Sequence, residues 1–229
     1  MNTMEHLLAA IEREARRAGF PVDKHAYAKA GRDPGVPILC AGSLAASVCV
    51  FGRDLGAEEV LHGEPLVGAA GRMVRAGVYQ ACLRETPARD DRRMAKALAH
   101  TLLTNTVPFK PPGNRAYASE VKERFRPFVA ELLASHWAGN HVITLGTEAF
   151  RWFVQYADAA AAEALWARPD RYEADLLCVI TVDRDGAAPL RKEIKVSPLP
   201  HPSPLNTRWY KQFPGLLAKR LEAVGAAAH

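Results

Sequence analysis

Val196-Ser197-Pro198-Leu199-Pro200-His201-Pro202-Ser203-Pro204-Leu205-Asn206-Thr207-Arg208-Trp209-Tyr210-Lys211 places one histidine among four prolines. Each proline fixes φ near about −65°, removes a backbone donor and restricts the residue before it. His201 therefore stands on a stiff loop that aims a single imidazole. Ser203 has the chemistry of a helix cap and Pro204 suits a first helical turn, so a helix is expected beyond the loop. Leu205 is expected at the exposed tip, with Arg208 and Lys211 just behind it. A rigid histidine, an exposed leucine and trailing basic residues suit a loop that enters a nucleic acid. A Pro-rich turn leading into a surface helix gives the same pattern.

Upstream of this loop the same order, buried strand then loop then helix, recurs. Short apolar runs predict strands at 47–51, 102–107, 141–145, 176–182 and 193–196, the last two joined by a turn at 183–186. Gly146 stops the third run, and Thr147 is the expected cap of the helix that follows, with Glu148 adding favourable charge in its first turn. Helical spacing groups Leu7, Leu8, Ile11 and Ala15 over 4–18; Val74, Val78 and Cys82; Val121, Phe125, Phe128, Val129 and Leu132; and Phe213, Leu216, Leu217 and Leu221. The alanine-rich stretch 157–168 also predicts a helix. Residues 19–46 read as a long loop and 85–93 as a solvated connection. Strands alternating with helices imply an α/β fold with a central, mainly parallel sheet covered on both faces. One domain over 1–229 is expected, with no repeat and no linker.

The composition bounds the function. Of 229 residues, 48% are apolar and 24% charged, as in ordinary globular chains. No apolar run reaches the roughly 18 residues of a membrane span. The first 19 residues carry Glu5, Glu12 and Glu14, unlike a signal or transit peptide, so a cytoplasmic location is expected. The four cysteines, Cys40, Cys49, Cys82 and Cys178, are widely spaced and predict buried thiols rather than disulfides or a zinc site. Net charge is +5 with pI about 9.1, which permits nucleic-acid binding without requiring it.

Three predicted strands deliver chemistry to their carboxyl ends, where ligands of open α/β sheets bind. They carry Asp54, Asn105 and His201, so a carboxylate, a carboxamide and a histidine can line one pocket. Each has a plain alternative: Asp54 capping a turn, Asn105 bonding local backbone, Gly113-Asn114-Arg115 as an ordinary turn. Gly52-Arg53-Asp54-Leu55-Gly56 is neither a dinucleotide fingerprint nor a P-loop, because the glycine spacing is wrong and no Gly-Lys-Ser/Thr follows. Glu58 and Glu59 are expected to face solvent. Neither a Gly-x-Ser-x-Gly elbow nor His-Glu-x-x-His is present.

Taken together, these loops resemble the uracil-DNA glycosylase superfamily. His201-Pro202-Ser203-Pro204-Leu205 matches its HPSPL signature. Residues 102–115, LLTNTVPFKPPGNR, and 63–71, GEPLVGAAG, most resemble the iron–sulfur branch, typically TNVVKCRPPGNR and GRPFVGxAG. The resemblance runs from about residue 40 to 224 and implies a three-layer α/β/α fold. It also implies roles. Asp54 and His201 are the catalytic pair, with Asp54 stabilising the sugar cation and orienting water and His201 donating to the uracil O2. Gly52, Arg53, Leu66 and Asn105 hold the base, and Arg115, Ser203, Leu205, Arg208 and Lys211 contact DNA.

The departures are as informative. Phe109 and Phe125 stand where the iron–sulfur branch has cysteines, and no N-terminal cysteine pair precedes the first strand. A cluster needs four thiolates, so no cluster, metal or cofactor is expected. Arg53 replaces the glutamate of GEAPG, while Asp54 falls where another branch has the aspartate of GQDPYH. Gly56 stands at the tyrosine that blocks thymine in that branch, and Leu66 where a phenylalanine stacks on uracil. The expected activity is monofunctional removal of uracil from single- or double-stranded DNA by a monomer, in base excision repair. The alternatives are a non-catalytic damage- or abasic-site-binding protein on the same fold, or a scaffold that only binds a partner.

Overall fold

The computed structural model describes residues 3–17, 19–85, 87, 91, 94–113, 115–184, 186–203 and 206–226. Its sheet comprises β1 (Cys40–Gly42), β2 (Val48–Gly52), β3 (Thr101–Asn105), β4 (His141–Leu145), β5 (Leu176–Arg184) and β6 (Ala187–Leu199) in the order β1-β3-β2-β4-β6-β5. The four inner strands are parallel, and the two edge strands, β1 and β5, pair antiparallel. This is the mainly parallel sheet expected. The predicted connection at 85–93 and the turn at 183–186 fall partly outside the described residues, as do Asn114, Pro204 and Leu205.

Helices cover both faces. α1 (Met4–Arg17), α5 (Ser119–Glu131), α6 (Thr147–Arg151) and α7 (Ala159–Ala167) lie on one side; α4 (Ala69–Leu83) and α9 (Phe213–Ala223) lie on the other. β2 shows why the central strands read as unbroken apolar runs. Cys49 and Phe51 enter the first core, Val48 and Val50 the second, and all four are fully buried. A strand buried on both faces has no polar alternation to show.

Three predictions need correction. The loop at 19–46 holds α2 (Lys24–Lys29) and the edge strand β1. α2 packs on α3 (Ala57–His62), and Tyr27, Ile38, Leu55 and Val60 form a small third core beneath the Asp54 loop. Lys110, almost wholly buried, pairs with Asp23 at 2.7 Å and donates its backbone N–H to the Tyr27 hydroxyl. The segment is therefore a brace for the loops after β2 and β3. Thr147 does not cap α6: Gly146, at φ +86°, is the N-cap and Thr147 the first helical residue. Ser203 does not cap α8 (Thr207–Tyr210), whose N-cap is Asn206.

Candidate active site

β2, β4 and β6 end beside one another, and chain leaves them toward opposite faces of the sheet. A cavity of about 180 Å3 opens there, lined by Gly52, Arg53, Asp54, Leu66, Leu145 and His201, among others. Four of the residues predicted to hold the base or do the chemistry are thus joined by His201 in one space.

Asn105 is not on a loop but is the last residue of β3, directly paired with Gly52. A β-carbon on Gly52 would fall 2.3 Å from Asn105 Oδ1, so only glycine lets the carboxamide lie across the end of β2. Both polar atoms of that carboxamide are buried and lack a partner among the described residues. A buried polar group left unpaired costs about 1–3 kcal/mol. Asn105 does not itself line the cavity; its carboxamide lies against Gly52, which does.

Asp54 shows the same incompleteness. Its Oδ2 accepts a hydrogen bond of 2.6 Å from Arg53 Nε, while Oδ1 is buried with no partner among the described residues. Burial pushes the carboxyl above its usual range, against the opposing pull of Arg53 and Lys122. His201 faces the opening. Loss of solvent around the ring and the charge of Arg53 lower its pKa, which favours the neutral imidazole. Its backbone is held firmly: the carbonyl accepts from Ser203 N at 2.9 Å and from Asn206 Nδ2 at 3.2 Å. Gly146 N–H donates to the Leu199 carbonyl, tying the exits of β4 and β6 together.

Two buried charged residues that set the pocket's shape were missed in the sequence. Glu59 does not face solvent. It is 8% exposed and its carboxylate accepts from the backbone N–H of Gly56, Val67 and Gly68 at 2.7–3.0 Å. It therefore clamps the Asp54 loop to the Leu66 loop. Arg75 is fully buried on α4 and donates to the carbonyls of Leu66 and Pro65 and to Glu64. Those bonds hold Leu66 in a left-handed conformation, φ +53°, rare for a residue with a side chain. A signal for Arg75 existed: Gly71, Val74, Arg75, Val78, Tyr79 and Cys82 form one buried helical stripe. An arginine on such a stripe must be paired. Glu58 is exposed, as expected.

The residues expected to contact DNA lie outside the cavity. Arg115, Arg208 and Lys211 are exposed and Ser203 is half-buried; Leu205 lies outside the described residues. Residues 41–225 match the family model of the uracil DNA glycosylase superfamily.

The chain belongs to the uracil DNA glycosylase superfamily.

No individual curated protein matches it. Membership makes the chain a DNA glycosylase-like protein with DNA as its substrate. The iron–sulfur cluster of the branch it resembles does not fit the residues present. Phe109 and Phe125 sit 5.2 Å apart, ring centre to ring centre, and Phe20 closes on both at 5.1 and 5.0 Å. Rings fill the space that thiolates would need. Among the described residues no group of three or more His, Cys, Asp or Glu side chains could hold a metal ion.

Proposed function

We propose that the chain removes uracil from DNA by hydrolysing the N-glycosidic bond, leaving an abasic site. The observation that carries this reading is the convergence of Asp54 and His201 on one small cavity, with the unpaired Asn105 carboxamide buried against Gly52 of its lining. A glycosylase acts on a base taken out of the stack. The flipped base would rest against Leu66. Asn105 would offer it an acceptor and a donor side by side, matching the imide edge of uracil.

Breaking N–C1′ sends the bonding pair to the base and leaves positive charge on the sugar. The neutral imidazole of His201 donates to the uracil O2, where negative charge grows. Such a donor stabilises the transition state more than the ground state. The Asp54 carboxylate faces the sugar cation and orients water. The water's hydroxyl ends on C1′ and its proton on the departing base. Arg53 holds Asp54 in place, and Arg115, Ser203, Arg208 and Lys211 meet phosphates. Leu205 fills the hole left in the stack.

The test is direct: uracil-containing oligonucleotide is incubated with the protein, treated with alkali and examined for strand breaks. Strand breaks at uracil are expected. Tight binding with no base release, in every uracil context, would favour the damage-binding alternative instead.

A further inference from the structure

Beyond the His201 loop a chain of rings and guanidinium groups continues away from the pocket. Arg208 Cζ lies over the Trp209 ring at 5.0 Å, and Trp209 meets Tyr172 edge-on at 5.0 Å. Arg171 Cζ sits 5.1 Å from the Tyr172 ring and 5.5 Å from that of Trp166. Trp166 in turn stacks on Phe150 at 4.8 Å, with 22° between the planes. There the ladder reaches an apolar groove of about 510 Å3 lined by Phe150, Arg151, Val154, Ala162 and Trp166, among others. That volume is typical of sites for small organic groups, which span about 300–1,000 Å3.

Topology places this ladder at the working end of the sheet. Tyr172 belongs to a short 3-10 turn, Arg171–Glu173, just before β5, and Leu176 of β5 pairs with Val196 near the carboxyl end of β6. β6 then runs directly into the His201 loop and α8. Tyr172 packs on the core shared by α4 and α9, whereas Trp166 packs on the opposite core. The ladder therefore wraps from one face of the sheet to the other around the rim that holds the pocket.

Its charges point one way. Arg168, Arg220 and Lys219 pair with the nearby acids Asp170, Asp175 and Glu173. Arg171 and Arg208 are spent on ring faces instead, with Arg171 also donating to the Arg168 carbonyl. Glu163 at the groove is exposed and has no ion pair among the described residues. Half-exposed rings alternating with guanidinium groups that pair with no acid among the described residues suit a strand whose bases are free to stack and whose phosphates need cations. A duplex hides its base faces and cannot use the rings.

We propose that Arg208, Trp209, Tyr172, Arg171 and Trp166 form a second DNA subsite that holds unpaired nucleotides flanking the one in the pocket and leads them toward the α6–α7 groove. The subsite rests on the pocket being where a flipped nucleotide enters. The protein thus engages single-stranded DNA over more surface than duplex.

Fluorescence anisotropy with uracil-free oligothymidine and a duplex of equal length tests this without any base release. Trp209→Leu is expected to weaken single-strand binding about ten-fold or more, with duplex binding little changed. Arg171→Gln and Arg208→Gln should each flatten the slope of log K against log salt on single strands by about 0.7. Should Trp209→Leu melt early, the two arginine variants decide the question, since charge removal at these positions leaves the rings in place. Wild-type single-strand affinity and salt slope in the folded variants overturns the subsite, as does equal loss on both substrates in Trp209→Leu or Arg171→Gln; Arg208, which also meets phosphates beside the pocket, is read on single strands alone. If ladder-dependent binding is seen but no strand yields free base, the subsite stands and the reading of the pocket falls.

Discussion

Asn105 and Phe109 leave the same strand, β3, and end in opposite kinds of surroundings. Asn105 abuts Gly52 of the pocket lining, and its carboxamide and one oxygen of Asp54 are buried without partners among the described residues. Phe109 turns into a cluster with Phe20 and Phe125, where each ring has two others about 5 Å away. Arg124 lies 5.4 Å from both Phe20 and Phe125 and closes the cluster toward solvent. Tyr117, at the rim, is its exception, with a buried hydroxyl that lacks a partner among the described residues. One region is complete in itself and the other is not. Buried polar atoms without hydrogen-bond partners among the described residues also occur away from the pocket, as at His136 and Trp152, so it is the coincidence of the Asp54 and Asn105 orphans beside His201, not incompleteness alone, that marks the working surface.

Cutting into the complete region should give the largest effect, and on stability alone. Phe125→Ala is expected to cost about 3–5 kcal/mol of unfolding free energy, read from urea denaturation. The rate of base release per folded molecule should hold. Protein purified without oxygen should be colourless and free of stoichiometric iron. Stoichiometric iron in the wild-type protein would mean that the rings do not fill the space.

The incomplete region should respond the other way. Asp54→Asn and His201→Ala are each expected to slow base release about 10²–10³-fold in single turnover, the scale of one removed electrostatic group. DNA binding should change little, because the lost interaction grows in the transition state. The pH dependence follows from the same geometry. Burial raises the Asp54 pKa, so a rate that needs its carboxylate should fall with acid at a higher pH than for an exposed aspartate. Wild-type single-turnover rates in both variants would show that the chemistry lies elsewhere.

What could be read from sequence divides along this line too. β2, β3 and β4 were legible because strands buried on both faces are unbroken apolar runs, and α1, α4, α5 and α9 because one face of each repeats helically. Asp54, Asn105 and His201 were legible because strand ends in an α/β sheet converge, and because their motifs resemble a known family. α2 and β1 were not. A six-residue helix and a three-residue edge strand carry too little pattern, and both owe their form to what they pack against. Glu59 and Arg75 were missed for a related reason. Their partners are backbone groups of loops, and no composition rule announces a carboxylate that three N–H groups have drawn inward.

Glu59 offers a smaller but sharper test of how far the scaffold reaches into the pocket. Glu59→Gln keeps the shape but replaces one accepting oxygen by an NH2 group facing N–H donors. A loss of about 1–3 kcal/mol of stability is expected. The single-turnover rate at saturating DNA should fall as well, because the Asp54 loop and the Leu66 loop are no longer clamped. A lowered melting temperature with an unchanged rate would make Glu59 part of the scaffold only.

The smallest effect tests whether Asp54 is strained by its own burial. Its folded pKa lies above the ordinary 3.8 because burial outweighs the attraction of Arg53 and Lys122. The folded state therefore keeps this proton over a pH window in which the unfolded chain has released it. By linkage, the stability associated with the protonated form is complete below 3.8, is lost as pH rises through the folded pKa, and is absent at neutral pH. Asparagine resembles the protonated side chain and never incurs this loss. Asp54→Asn is thus expected to melt higher than wild type at pH 7 while being far slower, and the gap should close as pH falls below 3.8. Melting temperatures of the two proteins across that range give the answer. A variant that melts at or below wild type at neutral pH would mean that the Arg53 pair compensates the buried carboxylate in full, and that Asp54 belongs with the complete region.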